Sequence, residues 1–297
     1  MDAPSATRPT PPEYPVRVGS MLFTLVDPHR GQEVAYNRWY ERDHFYAGCL
    51  VGPWLFAGKR WVATRPLKDL RFPADSTVAV PVDAGSYLAT YWIHEDRFAD
   101  HFAWANKEVF KLYEAGRGFN ERTHAHTALY TFGGAHYRDA DPVPVDLALD
   151  HPFAGLASIF VDRADGVSHA DLDAWIDGAG YDGLLGDGSP VAIAATWEPV
   201  RPKGDTRAPM DLGSGPGGAD RSMLLAFLTT DPATAWPTIE AWSGALEGAG
   251  IGTVRFAGGF LPTVPGTDTY SDELWGDERP IEEVRAEAAA ATPGSAS

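Results

Sequence analysis

The chain has 297 residues, 44% of them hydrophobic and 22% charged, so it can bury the core of one large domain or of two ordinary ones. A formal net charge of −17, from 41 acidic and 24 basic residues, argues against nucleic acid or an anionic membrane as partner, because phosphate contacts need clustered Lys and Arg. No stretch approaches the ~20 apolar residues of a membrane helix. The Pro-rich start lacks the apolar core of a signal peptide, and the single cysteine, Cys49, has no internal disulfide partner, so a cytoplasmic protein is the simplest expectation.

In chain order, 16–26 reads as a strand closed by the turn Asp27-Pro28-His29-Arg30-Gly31. Residues 32–50 have helical spacing, with Val34, Ala35, Trp39 and then His44 or Phe45 on neighbouring turns, and Gly52-Pro53 stops the helix. A second strand spans 54–64, and the turn-rich loop 65–85 has room for a short extra hairpin. The third strand, 86–94, places Tyr87, Ala89, Tyr91 and Ile93 on one face. Asp96 is the expected cap of a second helix with an apolar side of Phe98, Phe102, Val109, Leu112 and Tyr113, ended by Gly116 and Gly118. The fourth strand is 122–132.

After the proline-rich stretch 134–152, which reads as a linker, the order repeats. A strand at 153–162 leads to a helix at 169–179 capped by Ser168, then a strand at 191–199 and a Gly/Pro loop at 203–219 expected to be mobile. A strand at 222–230, a helix at 233–247 and a strand at 253–261 complete the second set, and 281–290 can form one more short helix. Both halves carry their longest loop between the second and third strands, and Trp39 and Trp175 hold like positions in their first helices.

The expectation is an α+β chain of two tandem βαββαβ units, 16–133 and 153–276, flanked by tails at 1–15 and 277–297. Both helices of such a unit pack on one sheet face, leaving the other face bare. Two units can bury their bare faces against each other as an intrachain barrel, and the space between the sheets becomes an expected pocket. At 12% aromatic residues, with ten Trp, the chain has rings enough to line an apolar site.

The first helix contains Tyr36-x-x-Trp39-Tyr40-x-x-x-His44-Phe45. This run resembles the aromatic–aromatic–His signature of EthD-like members of the dimeric α/β-barrel superfamily, with Phe45-Tyr46 standing where the usual proline follows the His. The resemblance covers 16–132 by motif and the second half by element order alone. It implies ferredoxin-like units, a cleft between sheet and helices, and a His near the end of the first helix acting as acid or base. Members include cofactor-free monooxygenases, isomerases, polyketide cyclases and haem-containing dehydratases, so the fold leaves the reaction open.

His44 is the leading catalytic candidate, with Tyr40 one turn earlier on the same face and Asp43 beside it in sequence. A histidine exchanges protons near neutral pH, and a tyrosine can donate to a developing oxyanion, a pairing suited to proton abstraction beside a carbonyl. In the second unit the matching positions are Gly180 and Ile176, so that half looks like a structural complement. Strict alternation puts His124, His126 and Tyr130 on one strand face, as pocket lining or, with His94 or Glu121, as metal ligands. No acidic residue sits at a recognisable ligand spacing, so no metal is expected. Trp39, Tyr91 and His94 join the expected substrate-binding set, with Trp54, Phe56 and Trp61 as an aromatic wall. His101 reads as structural or solvent-facing, and Arg42 and Arg60 as salt-bridge residues.

The first functional expectation is a cofactor-independent lyase, isomerase or cyclase of secondary metabolism, acting on a hydrophobic carbonyl or polyketide-like small molecule. Alternatives are a haem enzyme with His44, His94, His124, His126 or His136 as axial ligand, a cofactor-free monooxygenase, and a non-catalytic carrier of an apolar metabolite. The chain closes its barrel alone as a monomer or pairs as a homodimer.

Overall fold

The structure, a computed structural model, describes residues 15–200, 208–276 and 280–291. The first half runs β1 (Val18–Pro28), α1 (Glu33–Trp39), a π-helix (Tyr40–Leu50), β2 (Leu55–Val62), α2 (Arg65–Asp69), β3 (Tyr87–His94), α3 (Phe98–Glu114) and β4 (Arg122–Tyr137). The second runs β5 (Gly155–Arg163), α4 (His169–Asp177), α5 (Tyr181–Leu185), β6 (Val191–Val200), β7 (Arg221–Leu228), α6 (Pro232–Gly248) and β8 (Gly252–Pro262), followed by α7 (Ile281–Ala291).

Within each half the strands are antiparallel and lie in the same spatial order, β4-β1-β3-β2 and β8-β5-β7-β6. The long β4–β6 pairing and the short β2–β8 pairing, Trp61 with Pro262 and Val62 with Leu261, join the two sheets into a closed eight-stranded barrel. The expected α+β architecture of two ferredoxin-like units is therefore the observed one.

The barrel interior is not a pocket. An eight-stranded barrel is just wide enough for side chains to fill, and here every strand contributes. Phe23 packs edge-on to Phe160, whose ring meets Phe256, while Trp92 lies against Trp197 and Phe227. These belong to one continuous buried cluster with Trp61, Tyr130 and Phe260. The expected space between the sheets is thus consumed by aromatic volume.

Several boundaries differ from the sequence reading. β4 continues past Phe132 to Tyr137, so the linker begins later than 134, and its Val145, Ala148 and Leu149 are buried in the barrel cluster. At the other end of β1, the loop after α2 contributes Val78 and Ala79 to the same cluster rather than a hairpin. Asp96 takes a left-handed conformation (φ 62°), which leaves Arg97 at the cap position of α3 with no side-chain cap. Ser168 does cap α4, as half of a capping box with Asp171. The C-terminal helix forms as α7 and braces α1, its Val284 buried on Val34 and its Arg285 sharing Asp268 with Arg38. The N-terminal tail, at 1–14, lies outside the described residues.

Trp92 is fully buried at the centre of this packing. Trp92→Ala is expected to lower unfolding stability by about 3–5 kcal/mol, read as a fall in the denaturant midpoint at unchanged slope.

Candidate active site

On β1, Met21, Phe23 and Leu25 point into the barrel, so Leu22, Thr24 and Val26 face the helices. In the second unit that helix layer is filled. Leu172, Ile176, Leu184, Trp236 and Trp242 pack directly on the sheet. In the first unit it is not filled, and a cavity of about 440 Å³ lies between β1, β3 and β4 on one side and the π-helix and α3 on the other.

The π-helix shapes this cavity. Its i→i+5 bonding, seen where Val51 N donates to Tyr46 O (3.0 Å), sets residues five apart above one another. His44 consequently stacks on Trp39, five residues back, with ring centroids 4.5 Å apart and planes inclined by 15°. On an ordinary α-helix these two side chains would diverge by roughly 140°. A Cβ at Gly48 would stand 2.7 Å from the imidazole, so the ring occupies space that only glycine leaves free. In the second unit Trp175 folds over Gly180, the counterpart of His44, so an indole there covers a bare backbone.

His44, Tyr40, Tyr91 and His124 all line the cavity. Neither ring nitrogen of His44 has a hydrogen-bond partner among the described residues; its neighbours are the faces and edges of Trp39 and Tyr40. Burial, helped by the positive charge of Arg122, holds its pKa down to about 3, so the ring is neutral at physiological pH. The Tyr40 hydroxyl does not reach His44. It bonds the Tyr91 hydroxyl (2.8 Å), which also meets the Cys49 thiol, and burial keeps both phenols protonated. Beneath Tyr40, the buried Arg60 guanidinium lies 4.5 Å from its ring and bonds Asn37 and Glu41.

Asp43 is a correction. Adjacent helix residues project about 100° apart, and its carboxylate leaves the site to bind Arg117. His126 and Tyr130 are a second one. A bulge at Ala125 pairs Leu25 with His126 but Val26 with His124, so alternation breaks and the two histidines face opposite ways. His126 enters the barrel core, bonded to Tyr130 (2.6 Å) and Ser214 (2.8 Å), while His124 faces the cavity. Trp54, Phe56, Trp61 and His94 also stand off the cavity. Arg97 covers Trp54, Phe56 packs near His94 and on the barrel cluster, and Trp61 is inside the barrel.

The sequence reading missed several wall residues. His101 is buried in the wall, its pKa lowered to about 4 by desolvation. Arg122 is a cavity residue that the alternation Arg122-x-His124 could have revealed. The segment 208–216, from the second unit's long loop, forms part of the wall and is tied to the Ala125 bulge: Ser214 N donates to Ala125 O (3.0 Å), and its hydroxyl donates to Val78 O (2.6 Å). Gly213, at φ 74°, passes so close that a Cβ would sit 2.3 Å from His124 O. The rest of the loop expected to be mobile, 203–207, lies outside the described residues.

Metal and haem can be tested on these donors. His124 Nε2 accepts from Arg122 Nε (3.1 Å), so Nδ1 carries the proton and donates to Thr127 (2.7 Å), leaving no nitrogen for a metal. His136 is held by Asp177 and Asp173, away from the cavity. No cluster of three or more His, Cys, Asp or Glu among the described residues can hold a metal ion. His44 does offer what a haem iron needs, a neutral imidazole with an unbonded nitrogen on an apolar cavity. The residues fit haem to that extent, without the acceptor that usually stands behind a ligating imidazole.

Two outcomes follow. Gly48→Ala is expected to displace the imidazole from Trp39 while leaving thermal stability nearly unchanged, as a structure of the variant would show. His44, His124 and His126 all have pKa values lowered to about 3. The unfolded chain therefore binds more protons below 6.5, so stability present above that pH is lost as pH falls toward 3. The thermal midpoint should drop steadily between pH 7 and pH 4.

No protein-family model matches the chain, and no curated protein matches it in sequence. Among solved structures, a candidate chlorite dismutase aligns over 87% of this chain and 100% of its own, at TM-score 0.50 and 9% identity. An anthrone oxidase-like protein covers 85% and 95% at TM-score 0.47 and 10% identity. A haem-binding protein from Thermus thermophilus covers 96% and 99% at TM-score 0.43 and 11% identity. At such identities the likeness is one of fold alone. No described helix is long and apolar enough to cross a membrane.

Proposed function

We propose that the protein is a cofactor-independent enzyme of the lyase, isomerase or cyclase type, acting on a flat hydrophobic carbonyl compound of polyketide-like character. The observation that carries this reading is His44: a neutral imidazole with unbonded nitrogens, stacked in place, facing a mainly apolar cavity. Its role is general base, taking a proton from carbon next to the carbonyl and returning it elsewhere on the ligand. Trp39 fixes the plane of the ring. Tyr40 and Tyr91, bonded to each other, form a wall that excludes water and stays protonated.

In a second reading His44 and Arg122 would hold a haem, which when bound would supply one-electron and oxygen chemistry. The unbonded His44 nitrogen favours it, and a Soret band in the purified protein would replace the first reading with this one.

Proton abstraction can be measured without knowing the product. The wild-type protein is expected to speed exchange of the C2 protons of 1-tetralone into D₂O, followed by NMR, and His44→Gln to slow that catalysis about 100-fold. Because free His44 is already neutral at pH 5, kcat/KM for exchange should be flat from pH 5 to 8 instead of following an ordinary imidazole near 6.5. Exchange that survives His44→Gln in full would sink the assignment.

A further inference from the structure

We infer that Arg122 is the ligand-anchoring residue of this cavity, and that the ligand presents to it an anionic oxygen, a carboxylate, phenolate or enolate, on an apolar body. This rests on the proposed function only in placing the ligand in the same cavity.

The guanidinium is fixed on three sides. Nε donates to His124 Nε2 (3.1 Å), Nη2 donates to the Tyr113 hydroxyl (2.9 Å), and Cζ lies 4.7 Å from the Trp39 ring centroid. The remaining nitrogen, Nη1, is fully enclosed and has no acceptor among the described residues. A buried donor on a charged group left unpaired is costly, and native structures rarely keep one without a reason. Arg122 belongs to the cavity wall, and none of the described wall residues is Asp or Glu. Asp211 is the acidic neighbour on the covering loop, and its carboxylate accepts from Gly213 N.

His124 acts here as a positioning residue. It accepts through Nε2 from Arg122 and, through Nδ1, bonds Thr127, which in turn bonds Thr24 (2.7 Å). That chain across β4 and β1 holds the guanidinium in one orientation before any ligand arrives. A protein of net charge −17 thus keeps a fixed cation in a cavity whose described wall residues include no carboxylate. An anionic oxygen supplies the missing acceptor and neutralises the charge in one contact.

The test uses a matched pair, 2-naphthoate and 2-naphthamide, titrated by quenching of tryptophan fluorescence. Wild-type protein should bind the carboxylate at least about tenfold more tightly than the amide. Arg122→Gln should bring the two affinities together, and His44→Gln should keep the preference. If Arg122→Gln fails to fold, Arg122→Lys serves, because lysine cannot hold Tyr113 and His124 while placing a donor at the Nη1 position; the preference should fall several-fold. Equal binding of both probes by the wild type, or an unchanged preference in either Arg122 variant, overturns the inference. Absence of proton exchange in the wild type, with its preference for the carboxylate intact, would count against the His44 assignment alone.

Discussion

A four-stranded sheet with both helices on one side leaves its other side apolar, and the stability of this chain depends on covering that side. Each half covers the other. Because the closed barrel has eight strands, the covered space is filled by rings from all of them, and a ligand finds no room there. The cavity lies instead on the opposite face of the first sheet, under its helices. The geometry of one helix layer therefore decides where chemistry can occur.

The two helix layers begin from the same plan and diverge at their first helices. The second is closed by large apolar residues, with Ile176 where the first has Tyr40 and Trp175 lying over Gly180. In the first the helix passes into π geometry at Tyr40, which sets His44 over Trp39 beside the cavity. π-helical segments are uncommon and often accompany functional sites. The second unit still serves this cavity, since its long loop crosses the seam and forms part of the wall at 208–216. One unit holds the candidate site, and the other closes the barrel and completes the rim.

Much of this was legible in the sequence. Alternation along β1 and β3, helical spacing in α3 and the repeat of element order gave the strands, the helices and the two-unit plan. His44, Tyr40 and Tyr91 were placed by the same periodicities. What escaped was local breaking of period. Nothing in Thr123-His124-Ala125-His126 announces a bulge, yet that one extra residue sends His126 into the core and leaves His124 with Arg122. The π-helix likewise changes which residue faces Trp39 without changing composition. The loop crossing from the second unit is a tertiary contact, which no local pattern encodes.

The electrostatics bring the candidate residues into one argument. Burial that lowers the His44 pKa to about 3 makes the ring neutral, and also makes it a weak base toward carbon. A proton taken by such a group must be stabilised by the charge it leaves behind. An oxyanion about 4 Å from the new imidazolium, at an effective dielectric near 20, contributes about 4 kcal/mol. That corresponds to roughly three pKa units, enough to bring the pKa of His44 back toward its ordinary value while the ligand is bound. Arg122 alone would oppose protonation of His44, being a like charge. Once it holds an anionic oxygen the opposition is cancelled, and the imidazolium faces a neutral pair instead of a bare cation. In this arrangement the arginine and the histidine are not two independent devices. The base becomes strong only when the arginine is occupied, so proton transfer is tied to the presence of the correct ligand.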